Sequence, residues 1–330
     1  MQEAGRGSAK PPIGIAFEGD LGQRIDAVLA IALLSGFAAK AEARSIAIAV
    51  SRPSLKAAQL GEVISSFYFA RPPLIGVPEG APPADDAPVL AKTLTEKTAE
   101  GGPRYTPSIK RLLDTPDNAV LIRNNLLGQH DGNARIVVAG PFTGLARLLG
   151  LYGARPQIAA KAERLVVTAG TFPTGQPDAA ITSDVAAATK VFADWPTPIV
   201  VVGAEVGEAL PFPGSTIEKD LTWAPAHPVG DAYRAFKTMP YDAPASALAA
   251  MLHAVKPNDT YFKLSEAGTI SVLEDGRLRF TPSVEGKHKY LIVDAAQKDR
   301  VLEAYATMVA AKPAPRPGRG RGGAAVESDT

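Results

Sequence analysis

Glu18, Asp20, Arg24 and Asp26 crowd into one short glycine-containing turn. An apolar run, residues 13–17, precedes the turn, and a second, residues 27–34, follows it. The first run reads as a buried strand and the second as the start of a helix. Carboxylates gathered at the end of a buried strand cost folding energy unless something partners them. Such a set either holds a cation or works on a substrate. The carboxyl edge of an α/β sheet is where chemistry of this kind is placed.

Further along, Thr143 lies in the turn Gly140-Pro-Phe-Thr-Gly-Leu-Ala146, Asp178 and Asp184 follow an apolar run, and Tyr241 and Asp242 precede Pro244. Plainer readings stand beside each of these. Asp20 also reads as a turn residue, and Asp26 and Asp242 as helix N-caps, a position Asp favours. Thr143 also reads as a turn hydroxyl, Asp178 as a solvated loop acid and Tyr241 as packing. The four histidines have no metal-pair spacing and read as surface residues. No phosphate-cradling glycine loop is present.

The elements needed to position these groups alternate along the chain. Residues 13–17, 45–50, 74–77, 134–140, 165–170 and 198–203 read as strands. Residues 55–69, 108–113, 119–127 and 185–192 read as helices, the last capped by Asp184. The alternation predicts parallel strands joined by right-handed crossovers, an open sheet with helices on both faces. After about residue 259 the pattern changes. Residues 269–273 and 277–280 read as a β-hairpin turning at Asp275-Gly276, then a strand at 290–293 and a final helix over 295–310. Residues 93–107 are polar and weakly patterned, a long irregular segment of the sort that forms a substrate loop or a plain insertion.

The chain has 330 residues, 46% hydrophobic and 21% charged, an ordinary globular composition. We expect a polar, disordered N-terminus over 1–12, one α/β domain over 13–312, and a disordered tail rich in Pro, Gly and Arg over 313–330. The net charge of +1 gives no footprint for nucleic acid. The absence of cysteine excludes disulfides, thiolate catalysis and zinc–thiolate sites. No run approaches the ~20 apolar residues of a membrane span. The compartment is open: cytoplasmic, or exported if a signal was trimmed.

Four segments, in order, resemble the inosine/uridine-preferring nucleoside hydrolase family. The family's opening Asp-x-Asp-x-Gly motif has its counterpart in Glu18-Gly-Asp-Leu-Gly22, followed by Asp26. Its Gly-Pro-Leu-Thr-Asn-Leu-Ala turn is matched by Gly140-Pro-Phe-Thr-Gly-Leu-Ala146. Its Met-Gly-Gly strand, with the acids after it, is matched by Thr168-Ala-Gly170, then Asp178-Ala-Ala180 and Asp184-Val-Ala-Ala-Ala188. Its late His-Asp-Pro is matched by Tyr241-Asp-Ala-Pro244. The resemblance spans residues 13–255, and the β-rich end is similar to that of longer relatives.

The resemblance implies the nucleoside hydrolase-like fold, closed by the C-terminal hairpin and helix. It also implies a Ca²⁺ ion on Asp20, Asp26, Asp242 and the backbone carbonyl of Thr143. Substrate contacts would come from Glu18, Asp178 and Tyr241. The implied reaction is hydrolysis of the N-glycosidic bond of a ribonucleoside or related N-riboside, by a Ca²⁺-bound water activated by Asp20. Relatives are commonly dimers or tetramers, which implies a homo-oligomer. The departures fall at the site: Glu18 for Asp, Ala27 for an adjacent Asp, Ala180 for Asn, Tyr241 for His, and a new Arg24. The alternative expectation is therefore a catalytically impaired or repurposed member that binds a nucleoside or sugar-like ligand. In that case Arg24 replaces the metal's charge and pairs with Glu18, Asp20 and Asp242.

Overall fold

The computed structural model describes residues 11–81, 86–173 and 175–314. Of the segments expected to be disordered, 1–12 and 313–330, residues 1–10 and 315–330 lie outside the described residues. Among the described residues ten strands run in chain order: β1 (Ile13–Gly19), β2 (Ala43–Val50), β3 (Ile75–Gly76), β4 (Ala134–Ala139), β5 (Ala162–Thr168), β6 (Ile199–Val202), β7 (Phe262–Leu264), β8 (Gly268–Val272), β9 (Leu278–Pro282) and β10 (His288–Val293). They form one sheet ordered β3-β2-β1-β4-β5-β6-β10-β8-β9, with β7 also on β10. Strands β1 to β6 pair in parallel, as the alternating pattern predicts. β10 then returns from the end of the chain to lie parallel to β6. The hairpin β8–β9 and the short β7 add the antiparallel part.

This order fixes where a ligand crevice can form. From β1 the chain steps outward to β2 and β3, then crosses back to place β4 on the other side of β1. The carboxyl end of β1 is thus the point at which strand order reverses, the usual place of a crevice in an open α/β sheet. β4 and β6 are buried at every position. Both faces of the sheet are covered, so these strands need no polar alternation.

The helix Ile25–Ala39 leaves this crevice and is buried from Ile25 to Phe37, nearly all round. Ala, Leu, Ile and Val fill most of its positions, with no Pro, and a helix apolar on nearly every side belongs in a core. It packs between the helices Ser246–Val255 and Lys298–Val309. Gly36 permits the second contact, because a Cβ there would overlap the Met308 carbonyl.

Three readings are corrected. Residues 108–113 do not form a helix; only the 3-10 turn Leu112–Asp114 forms there, held by the Asp114 carboxylate on the amides of Lys110 and Arg111. The irregular segment begins later than expected, since Pro88–Leu94 is helical with Pro at its first position. Three of the histidines are buried rather than exposed. His227 caps the helix Pro228–Phe236 by accepting from Gly230 N, and His288 Nδ1 accepts from Ile270 N. His253 lies inside the helix Ser246–Val255, where burial and the cations Arg164 and Arg135 push its pKa down to about 3. No helix among the described residues is long and apolar enough to cross a membrane.

Candidate functional site

Asp20 stands one residue past β1, and its amide extends the ladder by donating to Ala139 O (3.0 Å). Ser51 does the same past β2, donating from its amide to Gly19 O (3.1 Å). Both side chains are buried, Asp20 at 6% exposure. Gly140 lies between them: a Cβ there would collide with Ser51 and come to 3.3 Å from Asp20 Cβ. The next residue, Arg52, donates from Nε to Asp20 Oδ2 at 2.6 Å. Asp20, Gly22, Gln23, Arg52 and Ser54 line a small hollow, closed on its other side by Ala87 and Leu90.

Arg24 points inward. Its Nε and Nη2 form a fork on Asp26, at 3.1 Å to Oδ1 and 2.8 Å to Oδ2. Nη2 also reaches Ser246 Oγ at 2.7 Å, and Nη1 reaches Thr168 Oγ1 at 2.9 Å. Asp26 Oδ2 further accepts from Ala247 N at 2.8 Å. The first turn of Ile25–Ala39, the end of β5 and the first turn of Ser246–Val255 are thereby tied to one guanidinium. Burial works against the Arg24 charge, but contact with Asp26, with Asp178 and Asp20 adding to it, raises its pKa above the ordinary arginine value. Behind Asp26 the wholly buried Tyr305 of the last helix is pushed well above its ordinary pKa, by burial first and by Asp26 second.

The expected partners of Arg24 need correcting. It bonds to Asp26 rather than to Glu18, Asp20 or Asp242. Glu18 lies beneath the edge rather than on it, fully buried. Among the described residues its carboxyl has no hydrogen-bond partner, and Asn118 beside it has none for either end of its amide. Both press on Gly144, where an added Cβ would stand 2.7 Å from each Glu18 oxygen. Burial, and then Asp117, push Glu18 up to about 8.

Asp242 lies apart from this cluster. It is exposed, accepts from Gly214 N at 2.8 Å, and borders a surface hollow with Ser215, Lys219 and Tyr241. Tyr241 stacks on Tyr233 at 4.4 Å and donates its hydroxyl to Tyr233 O, the packing alternative. Thr143 opens the helix Thr143–Gly150, so its carbonyl points along that helix and away from the edge. Its hydroxyl donates to Asp184 Oδ2 at 2.8 Å. Asp178 caps a short helix through Ala180 N and also accepts from Gly170 N.

These groups do not fit a calcium ion as they stand. Ca²⁺ takes six to eight oxygens, yet both oxygens of Asp26 are bonded to N–H donors and Asp20 is paired with Arg52. No three Asp, Glu or His side chains converge as metal ligands among the described residues. Arg52, Thr168 and Ser246 were not anticipated. Arg52 follows a strand that ends at the same edge as Asp20, a signal present in the sequence. Ser246 was passed over because motif spacing favoured Asp242.

No family model matches the sequence, and no curated protein matches it. Solved structures do. The inosine-uridine preferring nucleoside hydrolase from Bacillus anthracis superposes with a TM-score of 0.66 at 17% identity, over 90% of this chain and 99% of that one. The purine-preferring ribonucleoside hydrolase from Gardnerella vaginalis gives 0.64 at 17%, over 90% and 98%. The type III effector XopQ, solved with adenosine diphosphate ribose, gives 0.64 at 13%, over 92% and 94%.

Proposed function

We propose that this chain, which has the nucleoside hydrolase fold, binds an N-riboside at the carboxyl end of β1 and hydrolyses its N-glycosidic bond. The observation that carries the reading is Asp20, a deeply set carboxylate at the strand-order reversal with two arginines beside it. Asp20 Oδ2 is fixed by Arg52, leaving Oδ1 to accept a proton from water. The water oxygen bonds to the anomeric carbon, the proton passes to Asp20, and the C–N bond breaks. The departing base takes the bonding electrons and then a proton. The carboxylate of Asp178, which among the described residues is bonded only to backbone amides, favours the positive charge that develops on the ribosyl ring. No step passes through a metal. Inosine and uridine preference is one form of this reading, and the neighbour solved with adenosine diphosphate ribose supports a wider set of ribosyl ligands.

Turnover of a nitrophenyl β-riboside, inosine and uridine tests this, with calcium, with a chelator, and with Asp20→Ala as control. The expected result is turnover indifferent to the chelator and reduced about 10²–10⁴-fold in Asp20→Ala, the usual worth of a general base. Turnover abolished by the chelator would restore calcium to the mechanism. No turnover above the Asp20→Ala control would sink hydrolysis of these substrates. A second reading, binding without turnover, is favoured by the Arg52–Asp20 ion pair, which occupies Asp20 Oδ2. Stabilisation by inosine without cleavage would support it.

A further inference from the structure

We propose that Arg24 is the built-in cation of this site, and that removing its guanidinium uncovers a divalent-cation site the native chain does not use. The proposal rests on the riboside reading only for the identity of the ligand.

The partners of the guanidinium are all oxygens: both carboxylate oxygens of Asp26 and the hydroxyls of Thr168 and Ser246. They converge from a helix start, a strand end and a second helix start. An oxygen-only set of this kind also suits a hard cation. Two more carboxylates, Asp178 and Asp20, act on the same charge. Asp26 is buried with both carboxylate oxygens on the fork, and it needs a positive charge beside it, since unpaired buried charge is costly. Arginine meets that need permanently. It does not lose its proton in any ordinary pH range, and it is tethered by its own backbone. Its planar fork also sets the orientation of Asp26, which a spherical ion would not do. Without the guanidinium, Asp26 Oδ1 and the hydroxyls of Thr168 and Ser246 lose this partner, while the charges of Asp178 and Asp20 still act on the vacated position.

The test is thermal unfolding of the full chain in millimolar calcium chloride and in EDTA. Wild type should shift by less than about 1 °C in either. Arg24→Ala should melt several degrees lower in EDTA and recover by about 3 °C or more with calcium, because an ion that binds only the folded state stabilises it. Adding Asp26→Asn to that variant should abolish the recovery. Arg24→Lys, which keeps the charge but not the fork, should remain indifferent to calcium. An Arg24→Ala chain that folds only with calcium also supports the proposal. Calcium stabilisation of wild type, or a folded Arg24→Ala that ignores calcium, overturns it. So does failure of both Arg24→Ala and Arg24→Gln to fold even with calcium. The readout is cation binding, so absence of riboside turnover does not bear on it.

Discussion

Replacing Glu18 by Gln should change how stability depends on pH. Glu18 is wholly buried, and burial, followed by Asp117, raises its pKa from 4.5 to about 8. Between those values the unfolded chain has released a proton that the folded chain still holds. Stability from this group is therefore complete below pH 4.5 and is lost as pH rises through 8. Each pH unit within the window costs about 1.4 kcal/mol, and the full shift of about 3.5 units costs about 5 kcal/mol. Gln has nearly the same shape and does not titrate. Urea unfolding of both chains at pH 5, 6, 7 and 8 should show the variant gaining on wild type by about 1.4 kcal/mol per unit. The advantage should level off above pH 8. A constant difference across the range would refute the reasoning. It would mean that the carboxylate is already ionised at pH 5, held by the first-turn amides of the helices Asn118–Leu127 and Thr143–Gly150.

Other outcomes follow from the same geometry. Gly144→Ala would drive a methyl group into Asn118 and the Glu18 carboxyl, and should cost about 1–3 kcal/mol by urea unfolding. Asp184→Ala removes the acceptor of Ala187 N (3.0 Å) and of the Thr143 hydroxyl (2.8 Å). It should cost about 1–2 kcal/mol in the same assay.

The parallel sheet was legible because its strands are short apolar runs separated by helix-length segments, a pattern few other architectures produce. The hairpin was legible from Asp275-Gly276: Gly276 sits at φ +82°, a conformation that favours glycine. Residues 108–113 misled because Ile109, Leu112 and Leu113 mimic a helical stripe. Ile109 instead donates its amide to Glu62 across the fold, and Leu113 is exposed. At the site, Asp20 and Asp26 were found because they sit near each other in sequence. Thr168 and Ser246 were not, since what joins them to Arg24 is a contact across 144 and 222 residues of chain. Sequence spacing shows that Arg24 follows Asp20. It does not show which of several acids a long side chain will reach.

The position of β10 and of the last helix has a consequence for biosynthesis. β6, already paired with β5, acquires its second parallel neighbour only when residues 288–290 arrive, and the face of the first helix at Gly36 is covered only when Lys298–Val309 folds onto it. On the ribosome, the nascent chain therefore carries an open strand edge, and a first helix with one apolar face uncovered, until residues 288–309 have emerged. An open edge beside exposed Val and Ile invites pairing with another chain. A product terminated after β9 should accumulate as aggregate rather than as a soluble fragment. The Asp26 end of the site would then be completed only after residues 298–309 are made, although Asp26 itself is made well before them.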